Sequence, residues 1–339
     1  NHMANAGQGA LGLGGTFYFG GSYSFPNTYT PADFHYCGTD PGGARENDIF
    51  DFGSRFEVQN CELVGLADID TSAAGPRATL IDYLQTLINF GVDGFRVDAA
   101  KHVSSMDLGA IFAGLTGDPY IVQEVIDSPS EQVRFYEYLV HGDVTEFDYG
   151  PTVGGAFTGC SGTPAGLQNI GGGFGLDDSD NALVFTDNHD TQRAGGCRVT
   201  FESGPAYDLA NVFMLAYPYG YPRVMSSYHF ATESSGPPSS SGVTNSVWID
   251  GEPAGCNDAE FVCEHRRPAM RNLAKLRELA GANPVTNWWD DGNQRIAFGR
   301  GDQGYVALNA ASSTINRAWQ TSMAPGTYCN VALYELAGD

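Results

Sequence analysis

The feature that most constrains the fold of this chain is an alternation of helix-like and strand-like segments, which begins near residue 66. Thr79–Phe90 carries apolar side chains at the i, i+3, i+4, i+7 spacing of a helix that packs on one side. Gly91 follows as a C-terminal stop, and Gly94–Asp98 then has the pattern of a strand. Strands that alternate with helices indicate a parallel sheet, so we predict an α/β fold.

The same alternation continues along the middle of the chain and is interrupted by one glycine-rich stretch at 154–175. A low-complexity run at 234–242 is predicted to be a surface loop, since helical and strand patterns resume after it. Further predicted helices cover 106–115, 131–140, 206–216 and 264–280, and further predicted strands cover 120–126, 144–149, 182–190 and 222–227.

The two ends of the chain have a different texture. Residues 4–65 are rich in Gly, Tyr, Phe, Asn and Asp and carry turn signals without a long helical period. Beyond residue 287 the helical period ends, and 294–310 alternates like an antiparallel hairpin. We therefore expect an irregular module over 4–65, an α/β region over 66–286 and a small β domain over 287–339.

The composition restricts the class of partner. The formal net charge is −23, which opposes binding to phosphate backbones or anionic membranes, so we expect neither nucleic acid nor a membrane as partner. Of the 17 basic residues only Lys101 and Lys275 are lysines. No run approaches the 18 apolar residues of a membrane span. A secreted, monomeric protein is the simplest expectation.

The seven cysteines lack the CxxC spacing of zinc sites. Cys37 and Cys61 flank a Gly- and Asp-rich loop, and Cys256 and Cys263 flank a short one. Two disulfides that close these loops in an extracellular protein are the natural interpretation. The spacing leaves open whether Cys160 pairs with Cys197, and it leaves Cys329 over.

Three carboxylates lie where predicted strands end: Asp98, Glu124 in "QEVI" and Asp190 in "FTDNHD". In a parallel βα barrel, catalytic groups gather at the C-terminal ends of several strands. Acids that converge there repel each other when ionised, which supplies a proton donor near neutral pH. This is the equipment for cleaving a glycosidic bond. Arg96 would then keep Asp98 ionised as a nucleophile, although the pair taken alone could equally be a structural ion pair.

"GFRVDAAKH", "QEVI" and "FTDNHD" resemble three sequence signatures of the α-amylase family of glycoside hydrolases, in that family's order and spacing. The opening "NHM" resembles the tail of a fourth signature, at the end of the third barrel strand. "PYGYPRVMSSY" and "CEHRRPAMRNL" are similar to the animal-type, chloride-dependent branch. The resemblance implies a (β/α)8 TIM barrel with an inserted domain B over 4–65 and a C-terminal antiparallel β domain. Residues 1–3 would then end strand three.

The resemblance also implies a role for individual residues. Asp98 would be the nucleophile, Glu124 the general acid/base and Asp190 the acid that stabilises the transition state. Other residues would contact substrate: His2 and His189 by hydrogen bonds to sugar, Lys101 on the leaving-group side, and also Arg96 and His102. The implied activity is endo-acting, retaining hydrolysis of α-1,4-glucosidic bonds in starch, glycogen and related glucans.

Two ions are implied by the same resemblance. A calcium ion would be held by side chains of Asn1 and Asp68 and by the backbone carbonyls of Gln59 and His102, an all-oxygen ligand set that suits Ca²⁺. A chloride ion would be held by Arg96, Asn188 and Arg223.

The chain departs from the family pattern in lacking the first barrel strands, so we expect the isolated 339-residue chain to be inactive or poorly folded. Two alternative functions stay open at this stage. One is a transglycosylase or α-glucosidase of the same superfamily. The other is a catalytically dead glucan-binding relative, which is disfavoured because all three acids are present.

Overall fold

The computed structural model describes residues 1–4, 9–12, 15–38, 46–174 and 176–334. The fold consists of two compact units, residues 1–145 and 146–339. Within the described ranges, none of the helices has the length and apolar character needed to cross a membrane.

The first unit combines short antiparallel pieces with a parallel βα segment. Its elements are β1 His2–Met3, β2 Ala10–Leu11, β3 Phe17–Tyr18, α1 Arg55–Asn60, β4 Ala67–Asp68, α2 Ala74–Asn89, β5 Gly94–Val97, α3 Ser105–Phe112, β6 Tyr120–Gln123 and β7 Asp143–Glu146. Strand pairs β1–β4 and β2–β3 are antiparallel, while β5, β6 and β7 are parallel neighbours in that order.

The parallel segment follows the predicted pattern closely. Helix α2 covers the apolar stripe of 79–90 and ends at Asn89; Gly91 follows it with a positive φ of 95°. Strand β5 pairs with β6 in the register Val97↔Gln123. The core beneath these strands contains Val58, Ala100, Val103, Leu108, Val125, Val133, Tyr138 and Val144.

The segment predicted as an irregular module, 4–65, contributes three aromatic rings to a small core. Phe25, Tyr29 and Phe34 form this core together with Ala67 and Ile69. A disulfide joins Cys37 to Cys61, the pair expected from the sequence. Part of the loop between these cysteines, 39–45, lies outside the described residues.

The second unit contains α4 Tyr149–Thr158, β8 Ala182–Val184, α5 Pro205–Ala216, β9 Tyr221–Pro222, β10 Ser239–Ser240, β11 Val243–Thr244, α6 Pro268–Ala280, β12 Val285–Asp290, β13 Arg295–Arg300 and β14 Tyr305–Asn309. It is built around buried helix α5 and a three-stranded antiparallel sheet, β12–β13–β14. Strands β8 and β9 are parallel neighbours. Disulfides join Cys256 to Cys263, as expected, and Cys160 to Cys197, the pairing that spacing left open.

Arg300, at the end of β13, is a fully buried cation in this unit. Its guanidinium donates to the carbonyls of Ala216 at 2.6 Å, Gly281 at 2.7 Å and Asn283 at 3.0 Å. Ala216 ends α5 and Gly281 follows α6, so the charge lies at the negative ends of two helix dipoles. Burial, and then the charge of Arg277, lower the pKa of Arg300 to about 10.

Two helix predictions were wrong in a way that has a local cause. The predicted helix at 131–140 is replaced by two 3₁₀ turns, 135–137 and 139–141. There the Asp127 and Glu137 carboxylates accept the backbone N–H groups of Phe135 and Arg134, so side chains replace helical acceptors. The predicted helix at 264–280 is divided before Pro268, because proline lacks an N–H and begins α6.

The glycine-rich stretch at 154–175 was predicted without a helix, yet α4 runs into it. The glycines of α4 permit close packing against neighbouring backbone. A Cβ on Gly150 would lie 2.6 Å from the carbonyl oxygen of Thr186, and one on Gly154 would lie 3.0 Å from the backbone nitrogen of Val199. The predicted strand at 222–227 is also shorter than expected, since β9 ends at Pro222.

Candidate active site

The ends of β5 and β6 bring two of the three predicted acids together in the first unit. Because Val97 pairs with Gln123 in a parallel register, the next residues, Asp98 and Glu124, come level at the carboxyl ends of their strands. The backbone N–H of Glu124 donates to the carbonyl of Val97 at 2.9 Å, which extends the ladder to this point. Neighbouring strand ends therefore place the two carboxylates side by side.

Arg96 connects these two acids through its two terminal nitrogens. One nitrogen donates to Asp98 Oδ1, and the other donates to Glu124 Oε1 at 2.7 Å. The environments of the acids differ: the Asp98 side chain is 74% exposed, whereas that of Glu124 is only 10% exposed. One carboxylate thus faces solvent, and its neighbour is enclosed.

The turn after Asp98 supplies a further contact to Glu124. Ala99 has a left-handed φ of 47°, and its N–H donates to Glu124 Oε2 at 2.8 Å. A 3₁₀ turn at 100–102 then buries Lys101, whose Nζ donates to the Ile126 carbonyl and to Glu131 Oε2, both at 2.6 Å. Glu131 is a site residue that sequence reasoning missed, because it was assigned to a helix.

Glu124 and Lys101 share a cavity of about 440 Å³ within the first unit. Its polar lining comes from these two side chains and from Asp127, Ser128 and Glu131. Phe52, Leu63 and Ile126 give it an apolar wall. A pocket with an apolar wall and a few convergent polar groups has the character of a small-molecule site.

Three of the four predicted calcium ligands, Asn1, Asp68 and His102, lie together, and His102 also lines this cavity. The Asn1 side-chain nitrogen donates to Asp68 Oδ1 and to the His102 carbonyl, the latter at 2.8 Å. Gln59 occupies the last turn of α1, where carbonyls have no partner within the helix. His102 Nδ1 contacts the carbonyl of the preceding residue, Val58, at 2.9 Å.

These residues fit a calcium ion by their donor chemistry. Asp68 is fully buried, and burial raises its pKa to about 6 even though His35 opposes that shift. The side-chain oxygen of Asn1 is buried and has no hydrogen-bond partner among the described residues. A hard cation would satisfy this oxygen and neutralise the buried carboxylate. Within the described parts of the chain no cluster of three His, Cys, Asp or Glu could hold a metal, so amide and carbonyl oxygens would complete the site.

Three histidines surround this oxygen cluster. Burial lowers the pKa of His2 to about 3 and that of His102 to about 4, so both rings are neutral near pH 7. Their ring centroids are 5.3 Å apart. His35, which sequence reasoning missed, contacts Asp68 at 2.8 Å. Burial lowers the pKa of His35, but its hydrogen bond to Asp68 and the charges of Asp68 and Asp70 outweigh burial and raise it.

The second unit carries the third predicted acid on a turn after β8. Asn188 Oδ1 accepts the backbone N–H groups of Asp190 at 3.0 Å and Thr191 at 2.8 Å, which fixes the turn. The side chains of Asp190 and His189 are both accessible, at 54% and 59% exposure. His189 Nε2 lies 3.4 Å from Asp190 Oδ2. Arg223 follows β9, is exposed, and donates its backbone N–H to Val184 in β8 at 2.8 Å.

Comparisons with known proteins agree with this description. A family model, Alpha amylase, C-terminal all-beta domain, matches residues 286–338. Pig pancreatic alpha-amylase is 38% identical over an alignment that covers 100% of this chain and 71% of the pig protein. The alpha-amylase-related protein of Drosophila pseudoobscura pseudoobscura is also 38% identical, with coverage of 100% and 68%.

Solved structures give the same answer at the level of the fold. The crystal structure of alpha-amylase I from Eisenia fetida has a TM-score of 0.90 and 38% identity, covering 98% of this chain and 70% of that one. A mutant of that enzyme in complex with maltohexaose has a TM-score of 0.91 and 37% identity, with the same coverage. The predicted fold class, the α-amylase TIM barrel with a C-terminal antiparallel β domain, is thereby confirmed. This chain belongs to the α-amylase family of glycoside hydrolases.

Proposed function

We propose that this protein hydrolyses α-1,4-glucosidic bonds inside starch, glycogen and related glucans, with retention of configuration. The observation that carries the proposal is the bridge that Arg96 makes between Asp98 and Glu124 at adjacent strand ends. Retaining glycosidases need two carboxyl groups only about 5–5.5 Å apart. Two acids that contact one guanidinium lie close together, which supports a retaining mechanism.

Asp98 is suited to the nucleophile's role. Its carboxylate is exposed and so can approach a sugar carbon, while the contact with Arg96 fixes the side chain. In the first step Asp98 would form a bond to the anomeric carbon as the glycosidic bond breaks. In the second step water would release the sugar from Asp98.

Glu124 is suited to the acid/base role because it is enclosed and held from two sides. It would give its proton to the leaving oxygen and later remove a proton from the attacking water. Arg96 donates directly to Glu124 Oε1. An anion bound at Arg96 would compete for this N–H donor, which supports chloride as an activator.

The remaining contacts are assigned by family resemblance together with their accessibility. Asp190 would stabilise the oxocarbenium-like transition state, and His189 and His2 would donate hydrogen bonds to sugar hydroxyls. Lys101 lines the cavity beside Glu124, which supports a position on the leaving-group side. Arg96 and His102 complete the proposed substrate contacts. The domain limits at 3, 65 and 286 stay predictions, as does a monomeric state.

Calcium would be held by Asn1 and Asp68 through side chains and by Gln59 and His102 through carbonyls. It would act structurally, joining the end of α1 and strand β4 to the turn that follows Asp98. Chloride would be held by Arg96, Asn188 and Arg223; unchanged activity after exhaustive halide removal, with Arg223 intact, would refute this. Three disulfides support export to an oxidising compartment.

The test of the proposed function is the release of short products from maltohexaose by the Glu124→Gln variant, made, like the other variants below, in a full-length parent, since the isolated chain is expected to be inactive. We expect kcat to fall by at least ~100-fold, because general acid–base groups contribute about 10²–10⁴. Glu137→Gln is a matched control, since Glu137 also pairs with an arginine, Arg55 at 2.7 Å, but lies away from the strand ends. Equal turnover by wild type and Glu124→Gln would contradict the assignment.

A further inference from the structure

Four buried side-chain oxygens of the second unit are poorly satisfied by hydrogen bonds. By strict geometry Asp187 Oδ2, Glu264 Oε1, the Tyr207 hydroxyl and the Ser227 hydroxyl lack a partner among the described residues, and a looser contact joins the Tyr207 hydroxyl to Asp187. Each of these side chains belongs to a residue that is at most 2% exposed. A buried polar atom that lacks a partner costs about 1–3 kcal/mol, so four of them require an explanation.

The other atoms of these residues show that the four groups share one location. The second Glu264 oxygen, Oε2, accepts the backbone N–H of Ser227 at 2.7 Å. The Tyr207 hydroxyl is within hydrogen-bonding reach of Asp187, and Glu264 is near enough for its charge to act on Asp187. Behind Asp187, the Thr186 hydroxyl is within 3.3 Å of Asp187 Oδ1 and donates to Asn211 at 3.2 Å. The group therefore brings the turn after β8, helix α5 and the turn that precedes α6 into one neighbourhood.

The chemistry of the four atoms matches a single water molecule. A buried water makes about three hydrogen bonds, with a range of two to four. Here two hydroxyls can donate to it and two carboxyl oxygens can accept from it. Because a hydroxyl can either donate or accept, the arrangement is also satisfied when one of the two acids carries a proton.

The charges of this group favour one shared proton. Two ionised carboxylates that are buried together repel each other, so one of them binds a proton. Burial raises the pKa of Asp187 to about 7, and the charge of Glu264 raises it as well. The other charged groups nearby are Arg267, over the Tyr207 ring at 5.9 Å, and Asp208, which binds Arg267 at 2.7 Å. Because Arg267 already has a carboxylate partner, its charge is largely neutralised.

We propose that Asp187 and Glu264 form an acid pair that shares one proton and one bridging water, and that this pair positions the turn carrying Asp190. Asp187 immediately precedes Asn188, whose side chain fixes the backbone of Asp190. Anchoring Asp187 to Glu264 therefore anchors the start of that turn. Asp187 is a positioning residue that does not touch substrate. The positioning step rests on the proposed hydrolase function, whereas the acid pair does not.

Thermal unfolding between pH 5 and pH 8 tests the acid pair independently of activity. The folded-state pKa of Asp187 exceeds its unfolded value, so the folded protein binds more protons and its stability falls as pH rises toward 7. Asp187→Asn cannot ionise, so its Tm relative to wild type should rise by roughly 5 °C between pH 5 and pH 8. The exposed Asp302→Asn is the matched control and should show no such trend.

Several outcomes would overturn the acid pair. A Tm difference that stays constant within about 1 °C over this pH range would do so. A trend that appears or disappears with added calcium or EDTA would identify a bound cation in place of the water and proton. Glu264→Gln repeats the test from the other side of the pair, and a crystal structure should show one water in contact with all four oxygens.

Kinetics on maltohexaose test the positioning step separately. Asp187→Leu removes the anchor and should lower kcat at least tenfold with KM changed less than threefold, since a misplacement of 1 Å can cost about 100-fold. Asp187→Asn retains the shape of the protonated acid, so at pH 6 its kcat should be close to that of wild type and well above that of Asp187→Leu. If Asp187→Leu folds and keeps the wild-type kcat while the pH trend in Tm is present, the acid pair stands and the positioning role is refuted.

Discussion

The most informative substitution in the candidate active site is Arg96→Leu, because it removes one group that contacts two acids. The hydrogen bond from Arg96 to Glu124 is 2.7 Å long and enclosed, and a hydrogen bond to such a charged group contributes about 1.5–3 kcal/mol. The bond to Asp98 is exposed, where an ion pair contributes at most about 1 kcal/mol. Together the two contacts amount to about 2–4 kcal/mol of positioning energy.

We expect this loss to appear mainly in kcat. At 1.36 kcal/mol per tenfold, the estimate corresponds to a decrease of roughly 30- to 1,000-fold. Steady-state kinetics on maltohexaose, with circular dichroism to confirm the fold, measure it. Arg96→Lys retains the charge but not the forked geometry, since a lysine is a point charge, and should fall between wild type and Arg96→Leu.

Arg55→Leu is the matched control for this experiment. Arg55 also binds a carboxylate through its guanidinium, that of Glu137, at 2.7 and 3.0 Å. It lies outside the strand-end site, so the control should lose stability of at most about 1 kcal/mol and keep its kcat. A kcat for Arg96→Leu within threefold of wild type, in a folded protein, would refute the role of Arg96 as the group that orients both acids.

Three further predictions concern stability. Arg300→Met should lower the free energy of unfolding by about 3 kcal/mol in denaturant titrations, because the enclosed Ala216 carbonyl loses its donor. Arg317 is exposed, so the control Arg317→Met should change the free energy of unfolding by less than ~1 kcal/mol. Chelation of calcium should lower Tm, and Asp68→Asn should abolish that sensitivity; a wild-type Tm that chelators do not change would contradict the proposed site. Gly150→Ala should destabilise the protein by about 1–3 kcal/mol, since its Cβ would lie 2.6 Å from the Thr186 oxygen, and a neutral effect would show that α4 can shift.

The fold was predictable from sequence where the apolar periodicity agrees with the residues that end helices or form turns. Helix α2 and strand β5 follow from the apolar stripe of 79–90 and from Gly91, and the hairpin β13–β14 follows from alternation around the "GDQG" turn. Helix α4 was missed because its glycines serve close packing, a tertiary requirement that a local pattern does not reveal. The segment at 131–140 was misassigned because carboxylates replace the helical acceptors there.

The candidate site was predictable from sequence only for those residues that lie at the ends of predicted strands. The parallel register aligns Asp98 with Glu124, and both were identified from their positions in the sequence. The partners Glu131 and His35 come from loops, whose contacts no periodicity encodes. The Asp187–Glu264 pair joins segments 77 residues apart in the numbering, and only the fold reveals that both acids are buried at one point.

In the proposed mechanism Asp98 is a nucleophile that bonds covalently to sugar, and Glu124 acts as acid and base. The most direct measurement traps that intermediate with an activated fluorosugar and locates the added mass by peptide mapping. We predict a label on the peptide that contains Asp98, and a first-formed product in the α configuration by NMR. A label on another residue, or a β product formed first, would contradict the account.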